Sequence, residues 1–581
     1  MASTWEEKAA EKRARINDSI PQKWRIQKLP SDDSVLDFPA KSGILSSEEL
    51  SITQSSAPDL VKKLANGELK SVDVTVAFCK RAALAHQLLN CCLEFFPELA
   101  IAQAKELDAY FEVHKKPVGP LHGLPISLKD QLRVKGLETS MGYVAWLGKY
   151  DTTESTLVTL LRRAGAVFYT KTSVPQTLMV CETVNNIIGR TINPRNKNWS
   201  CGGSSGGEGA MIGFRGGLIG VGTDIGGSIR VPSAFNFLYG IRPSHGRLPY
   251  AKMANSMEGQ ETVHSVVGPM AHSAADLKLF LTSVLREEPW KYDPKVVPLP
   301  WRESEEDDIK SKLSGGLTLG YYSCDGVVCI CQLHLCWRDI TDGDQVLPHP
   351  PITRGIEMVV STLKKHGHHV LPWLPYKHDF GHDLIGDIYA SDGSTDVLNS
   401  INASGEPAIP NIKDLLNPDK GKIDMNQLWD VHLKKWNYQS EYLDKWREFE
   451  ETHGKEMDAI IAPITATAAI RHNQFRYYGY ASVINLLDFT SVVVPVTFAD
   501  KSVDVKRSDH RQLNDLDATV QAEYDAEAYH GAPVAVQVIG RRLSEERTLA
   551  IAEEIGRLLG NAETLSVGDD GAVLTAEHEP K

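Results

Sequence analysis

The residues whose types and spacing could do chemistry are concentrated between Cys201 and Arg230. This segment reads CGGSSGGEGAMIGFRGGLIGVGTDIGGSIR and holds 12 glycines in 30 residues, against about 2.3 expected from 45 in 581. Glycine at that density marks close backbone approach or unusual φ. Hydroxyls stand at Ser204, Ser205, Thr223 and Ser228. A phosphate-binding loop would need G-x-x-x-x-G-K-[ST], and the segment has no lysine. A nucleophile elbow, G-x-S-x-G, fits Gly203, Ser205 and Gly207, but it needs a preceding strand and NPRNKNWSCGG does not read as one. What remains is a hydrolytic site where serines from two glycine loops meet.

Simple geometry supports that meeting. Gly206 to about Arg215 as a helix runs outward about 15 Å at about 1.5 Å per residue. Leu218 to Thr223 as a strand returns about 20 Å at about 3.3 Å per residue. Ser204 and Ser205 then lie beside the Asp224–Ser228 loop, although 24 residues separate Ser204 from Ser228. A new helix through Ile229 to Leu238 would present the N–H groups of Gly226, Gly227 and Ser228 at its positive end, suited to an oxyanion.

A serine nucleophile needs a base, and Leu124-Pro125-Ile126-Ser127-Leu128-Lys129-Asp130 offers a lysine. Period two puts Leu124, Ile126 and Leu128 on one face and Ser127 and Lys129 on the other, with Lys129 at the strand's C-terminal end, where α/β sheets place their sites. Periodicity alone favours a solvated lysine. Service as a base near neutral pH requires its pKa to fall from about 10.4 to roughly 7 or 8, about 4 kcal/mol of differential environment, which burial can supply.

The elements that must position these residues read as an α/β protein, with short apolar runs alternating with helix-period segments. Expected strands are Leu124 to Lys129, Ala166 to Lys171, Leu218 to Thr223, Leu317 to Tyr322, Ala459 to Pro463 and Pro533 to Ile539. A helix begins near Ser71 with Val72, Val76 and Cys79 on one face. Another, with Ile551, Ile555, Leu558 and Leu559 at helical spacing, lies between Ser544 as N-cap and Gly560 as stop. The N-terminal stretch reads as an exposed helix with a capping box, Ser3 to Glu6 or Thr4 to Glu7. Residues 1–50 form a surface leader, 51–565 the main domain and 566–581 a loose tail.

With 42% hydrophobic and 24% charged residues the chain can bury a large core. A formal charge of −13 gives no reason to expect nucleic acid or an anionic membrane as partner. Nine cysteines without regular spacing suit a reducing compartment, and no secretory signal or twenty-residue apolar run is present. These features point to a cytoplasmic protein.

GGSSGGEGA followed by GVGTDIGGSIRVPSAF, with GLPISLKD upstream, resembles the amidase signature family, and the pattern looks closest to its fungal acetamidase branch. The resemblance runs over nearly the whole chain, through FNFLYGIRPSHGRLPYAKMANSMEGQETVHSVVGP, ASVINLLDFTSVVVPVTFADK and YHGAPVAVQVIGRRLSEERTLAIAEEIG. It implies one large domain with a mixed sheet of about eleven strands between helices, no cofactor, no metal and a small-molecule amide substrate, in a family whose members are often homodimers. Position by position it makes Lys129 the catalytic lysine, Ser204 the bridging serine after a cis peptide bond, and Ser228 the nucleophile. Ile225, Gly226, Gly227 and Ser228 match the oxyanion hole, with Ser205, Thr223, Asp224 and Arg230 in support. Asp224 and Arg230 could pair with each other or be solvated at the surface. The implied activity is hydrolysis of short aliphatic amides, acetamide foremost, to carboxylate and ammonia through an acyl-enzyme. Rival readings are an amidase for longer fatty or aryl amides and an amidotransferase-type subunit working with a partner.

Two other features stand outside this site. His378 and His382 are an i, i+4 pair with His366, His368 and His369 nearby, but Gly381 weakens a helix there and no third ligand has convincing spacing. Residues 328–345, VCICQLHLCWRDITDGDQ, depart from the family pattern by 18 residues, or 54 nucleotides. Val328-Cys329 can be encoded as GTATGT, Thr341-Asp342 as ACTGAC and Gln345 as CAG, which resemble a splice donor, branch point and acceptor. The segment therefore reads as an in-frame retained or unrecognised intron rather than a functional insert; a real insert there would be a surface excursion that leaves Lys129, Ser204 and Ser228 intact.

Overall fold

A computed structural model of the chain describes residues 3–325, 345–413, 415–416, 418–508 and 512–560. Its centre is one mixed sheet of eleven strands. In chain order these are β1 (Cys92–Phe95), β2 (Pro125–Lys129), β3 (Val167–Thr172), β4 (Ile219–Asp224), β5 (Tyr239–Arg242), β6 (Val266–Ala271), β7 (Thr318–Tyr321), β8 (His369–Pro372), β9 (Ala459–Ala462), β10 (Ser491–Phe498) and β11 (Pro533–Ile539). The spatial order is β1-β3-β2-β4-β6-β5-β10-β11-β9-β7-β8. Pairings are parallel among β3, β2 and β4 and among β9, β7 and β8, and antiparallel elsewhere. Each of β2, β3, β4, β6 and β11 is buried along its whole length, so helices and loops cover both faces of the sheet.

The six strands expected from apolar runs all form, within a residue at each end. Of the other five, β1, β5 and β8 are only four residues long, β6 is broken in sequence by Gly268 and Pro269, and β10 carries an apolar run, Val492 to Val496, that the expected set leaves out. Asn196–Ser200, read above as non-strand, does pair, with Ile192–Asn193 in a separate two-stranded ribbon. Polar Asn196, Lys197 and Asn198 hide it, since this half of the short strand lies toward solvent, Asn196 half-buried and Lys197 and Asn198 exposed.

Helix α1 (Trp5–Asp18) opens with the Thr4–Glu7 capping box and buries Ala9, Lys12 and Ile16. The Lys12 ammonium sits between Glu94 and Glu138, at 2.5 and 2.8 Å, so α1 is tied to the sheet by charge as well as by its apolar stripe. Helix α2 (Ser71–Leu89) starts where expected, but of Val72, Val76 and Cys79 only Cys79 is fully buried; the buried face takes in Val74, Ala77 and Phe78, with Val72 and Val76 half-buried at its margin. Helices α3 (Gly206–Gly213) and α4 (Arg230–Phe235) flank β4. Helix α5 (His378–Tyr389) runs straight through Gly381, where α6 (Met425–His453) packs closely: a Cβ there would lie 3.0 Å from the Tyr438 hydroxyl. Helix α7 (Glu545–Leu558) follows Ser544, ends before Gly560 at φ +76°, and packs on β10.

His378 and His382 are absorbed by this packing. His378 Nε2 lies 3.2 Å from the Tyr442 hydroxyl and burial lowers its pKa to about 3, while His382 Nδ1 lies 3.3 Å from Ser482 Oγ. Among the described residues no group of three or more His, Cys, Asp or Glu is placed to hold a metal ion, and no helix is long and apolar enough to cross a membrane. Residues 328–344 of the expected insert and all of the 566–581 tail lie outside the described residues.

Candidate active site

Strand β2 ends at Lys129, and the alternation that sends Ile126 and Leu128 to one face turns Lys129 to the other, where it is fully buried. Its Nζ lies 2.9 Å from Ser204 Oγ and 2.7 Å from Thr223 Oγ1. Removing water from around an ammonium disfavours the charged form, and burial brings the Lys129 pKa from 10.5 down to about 7, against weaker opposing pulls from Asp224, Cys181 and Glu208. Asp130 does not restore the charge, because it turns away: Oδ2 accepts from the Ser140 and Met141 N–H groups at 2.8 Å and Oδ1 faces Lys171 Nζ at 3.4 Å.

Ser204 follows a cis peptide bond from Gly203. The loop then presses so closely on β3 that a Cβ on Gly207 would lie 2.3 Å from the Ser173 nitrogen, which only glycine avoids. Ser205 stitches the two glycine loops together. Its N–H donates to the Ser228 carbonyl at 3.2 Å, and its hydroxyl accepts from the Thr223 N–H at 3.2 Å while donating to the Thr223 carbonyl at 3.3 Å. These bonds rule Ser205 out as an elbow nucleophile. They also join the outward helix α3 to the returning strand β4 as its length predicts.

Asp224 organises the second loop. Its carboxylate accepts from the N–H groups of Gly227 (2.8 Å), Ile229 (3.1 Å) and Arg230 (3.4 Å), from the Arg230 guanidinium at 3.0 and 3.1 Å, and from Asn485 Nδ2 at 2.8 Å. Although burial opposes ionisation, Arg230 and these donors hold the Asp224 carboxyl far below the usual range. The surface alternative for this pair is excluded, since both side chains are wholly buried. Arg230 reaches on to Gln537 Oε1 at 3.0 Å and Asn485 Oδ1 at 2.6 Å.

Two parts of the oxyanion expectation change. Helix α4 spans six residues rather than Ile229 to Leu238, because the chain leaves helical geometry at Asn236. The Gly227 N–H, at φ +118°, is already donated to Asp224, which leaves Ile225, Gly226 and Ser228 as the peptide groups of this loop that Asp224 does not bind. The Ile225 carbonyl accepts from the Tyr389 hydroxyl at 2.6 Å, and a trans peptide then directs the Gly226 N–H the opposite way.

Ser204, Thr223 and Ser228 border a cavity of about 430 Å³, walled by Met141, Leu178, Met179, Met253 and Val263. The stacked rings of His245 and His264, with centroids 3.7 Å apart, line the same cavity.

Sequence reasoning brought Lys129, Ser204, Ser205, Thr223, Asp224, Ser228 and Arg230 to this region, and all seven lie there. It missed Gln131, whose Oε1 accepts from Thr223 Oγ1 at 2.7 Å, although the period that selected Lys129 also selects position 131. Tyr389, Asn485 and Gln537 come from distant elements and carry no local signal.

A family model described as Amidase matches residues 73–334 and 337–549. Acetamidase of Emericella nidulans is 72% identical over 97% of this chain and 100% of its own length, and acetamidase of Aspergillus oryzae is 69% identical over 96% and 100%. Among solved structures, a fatty acid amide hydrolase superposes with a TM-score of 0.87 at 33% identity, covering 95% of each chain. A peptide amidase from Stenotrophomonas maltophilia, at 19% identity and TM-score 0.62, shares the fold.

Proposed function

This chain belongs to the amidase family and is a hydrolase acting on amides, and on that premise we propose that it cleaves short aliphatic amides, acetamide foremost, to carboxylate and ammonia. The observation that carries the mechanism is Lys129: a buried amine with a pKa of about 7, its Nζ 2.9 Å from Ser204 Oγ. Neutral Lys129 takes the Ser204 proton as Ser204 takes that of Ser228, whose oxygen attacks the amide carbon. The oxyanion is held by the N–H groups of Ile225, Gly226 and Ser228. The proton returns through Ser204 to the nitrogen, ammonia leaves, and water activated by the same relay hydrolyses the acyl-enzyme. Asp224 and Arg230 keep the loop in shape, and Ser205 and Thr223 hold the relay. In this reading the enzyme draws nitrogen and carbon from amides in the cytoplasm.

Substrate size rests on the similarity to acetamidases, 72% and 69% identical over nearly the full length. The 430 Å³ cavity favours a second reading, activity on bulkier amides, because it exceeds what an acetyl group fills. Ammonia release across a series from acetamide to long-chain and aryl amides separates the two: the highest kcat/KM falls on acetamide in the first and on the larger members in the second. Ser228→Ala abolishes acylation, and wild-type turnover in that variant overturns the mechanism.

A further inference from the structure

The Gln131 side chain borders the same cavity as Ser204 and Ser228 but hydrogen-bonds to neither serine; its partners hold both ends of its amide, and it is only 3% exposed. Nε2 donates to Asn255 Oδ1 at 2.9 Å and to the Tyr250 hydroxyl at 2.8 Å, while Oε1 accepts from Thr223 Oγ1 at 2.7 Å. Asn255 is itself oriented, its Nδ2 donating to the Met253 carbonyl at 3.4 Å.

The direction of each bond in this chain follows from the one before. A backbone carbonyl can only accept, so Asn255 gives it Nδ2 and turns Oδ1 to Gln131. Two carbonyl oxygens would repel, so Gln131 meets Asn255 with Nε2 and turns Oε1 to Thr223. The Thr223 hydroxyl has one hydrogen, which Oε1 takes, so toward Lys129 it can only accept. A neutral amine has two N–H groups and one lone pair; with an N–H committed to Thr223, the lone pair can face Ser204.

We propose that Gln131 is a positioning residue that sets the direction of the proton relay, by fixing Thr223 as an acceptor and so aiming the Lys129 lone pair at the Ser204 hydroxyl. The inference rests on the Lys129, Ser204 and Ser228 mechanism above. Without the Gln131 acceptor, the Thr223 hydrogen turns to the Lys129 lone pair. Lys129 then presents an N–H to Ser204 Oγ, a geometry in which no proton can pass from Ser204 to Nζ.

The test is a double-mutant cycle on acetamide hydrolysis. Gln131→Leu is expected to lower kcat about tenfold or more with KM within about twofold, and to move the acid limb of the pH profile downward, since a donor on the neutral amine favours that form. In a Thr223→Val background the same change is expected to cost less than about twofold, because the effect passes only through the threonine hydroxyl. Equal losses in both backgrounds, or an unmoved acid limb, would overturn the proposal by making Gln131 a packing residue. Gln131→Met, of similar length and without an acceptor oxygen, gives the same test if the leucine variant does not fold. Lys129→Ala run alongside distinguishes the two levels. If it keeps wild-type turnover, the relay falls and this inference with it. If it is silent while Gln131→Leu is wild type, the relay stands and this inference alone falls.

Discussion

A buried lysine that works as a base must show its depressed pKa in two ways, in rate and in stability. The drop from 10.5 to about 7 at Lys129 corresponds to about 5 kcal/mol of differential solvation. About half of the enzyme then carries a neutral lysine at pH 7, whereas an unperturbed lysine would be neutral in roughly three molecules in ten thousand. Below pH 7, kcat/KM for acetamide should fall tenfold per unit, to roughly one hundredth of its plateau at pH 5. The stability consequence has a definite sign. Between pH 7 and 10.5 the unfolded chain holds the lysine proton and the folded chain does not, so stability rises with pH across that window. The penalty is complete below pH 7 and gone above 10.5. Lys129→Met should therefore gain stability over wild type at pH 6, by up to about 5 kcal/mol more than it does above pH 10.5. Ammonia release from pH 5 to 10 and thermal denaturation at both extremes measure these effects. An acid limb near pH 10, a flat profile from 5 to 9, or a Lys129→Met effect independent of pH would refute the reasoning.

Arg230→Met leaves the buried Asp224 charge without its cation and should cost about 3–5 kcal/mol in denaturant unfolding, because an unpaired buried carboxylate has no water to turn to. Tyr389→Phe removes the hydroxyl that holds the Ile225 carbonyl. It should lower kcat about tenfold with KM little changed, and weaken an alkylboronic acid, which forms a tetrahedral adduct, more than a ground-state amide. Deleting residues 328–345 should leave folding and ammonia release intact. Their described flanks are held by neighbouring tyrosines, Tyr477 donating to Asp325 and Tyr480 to the Val346 carbonyl at 2.7 Å. A peptide containing Cys336 from the native protein would defeat the intron reading.

The parts of this molecule that are legible in one dimension are those with local causes. Glycine density between Cys201 and Arg230, the period-two face of β2 and the helix-to-strand return through α3 and β4 all follow from φ freedom and rise per residue. The return brings Ser204 beside the Ser228 loop and the period puts Lys129 at the end of its strand, while joining the lysine to the two serines takes the resemblance to the amidase signature family. The helix through His378 and Gly381 is harder to read because its partners lie far along the chain, Tyr438 and Tyr442 of α6 some sixty residues later and the helix Gly479–Leu487 about a hundred residues later. The ribbon at Asn196–Ser200 was missed because its outward residues are polar.

The sequence by itself thus determined which groups could react, since residue type and spacing are chemical facts. Tertiary structure alone decided whether they would. Burial brings the Lys129 pKa from 10.5 down to about 7. Asp224 claims the Gly227 N–H, and Tyr389, from α5, orients the next peptide. Gln131 and Asn255 settle which way a hydrogen points. Each depends on how much water remains around a group and which partner occupies its last hydrogen-bonding direction, and both are properties of packing between elements far apart in the chain.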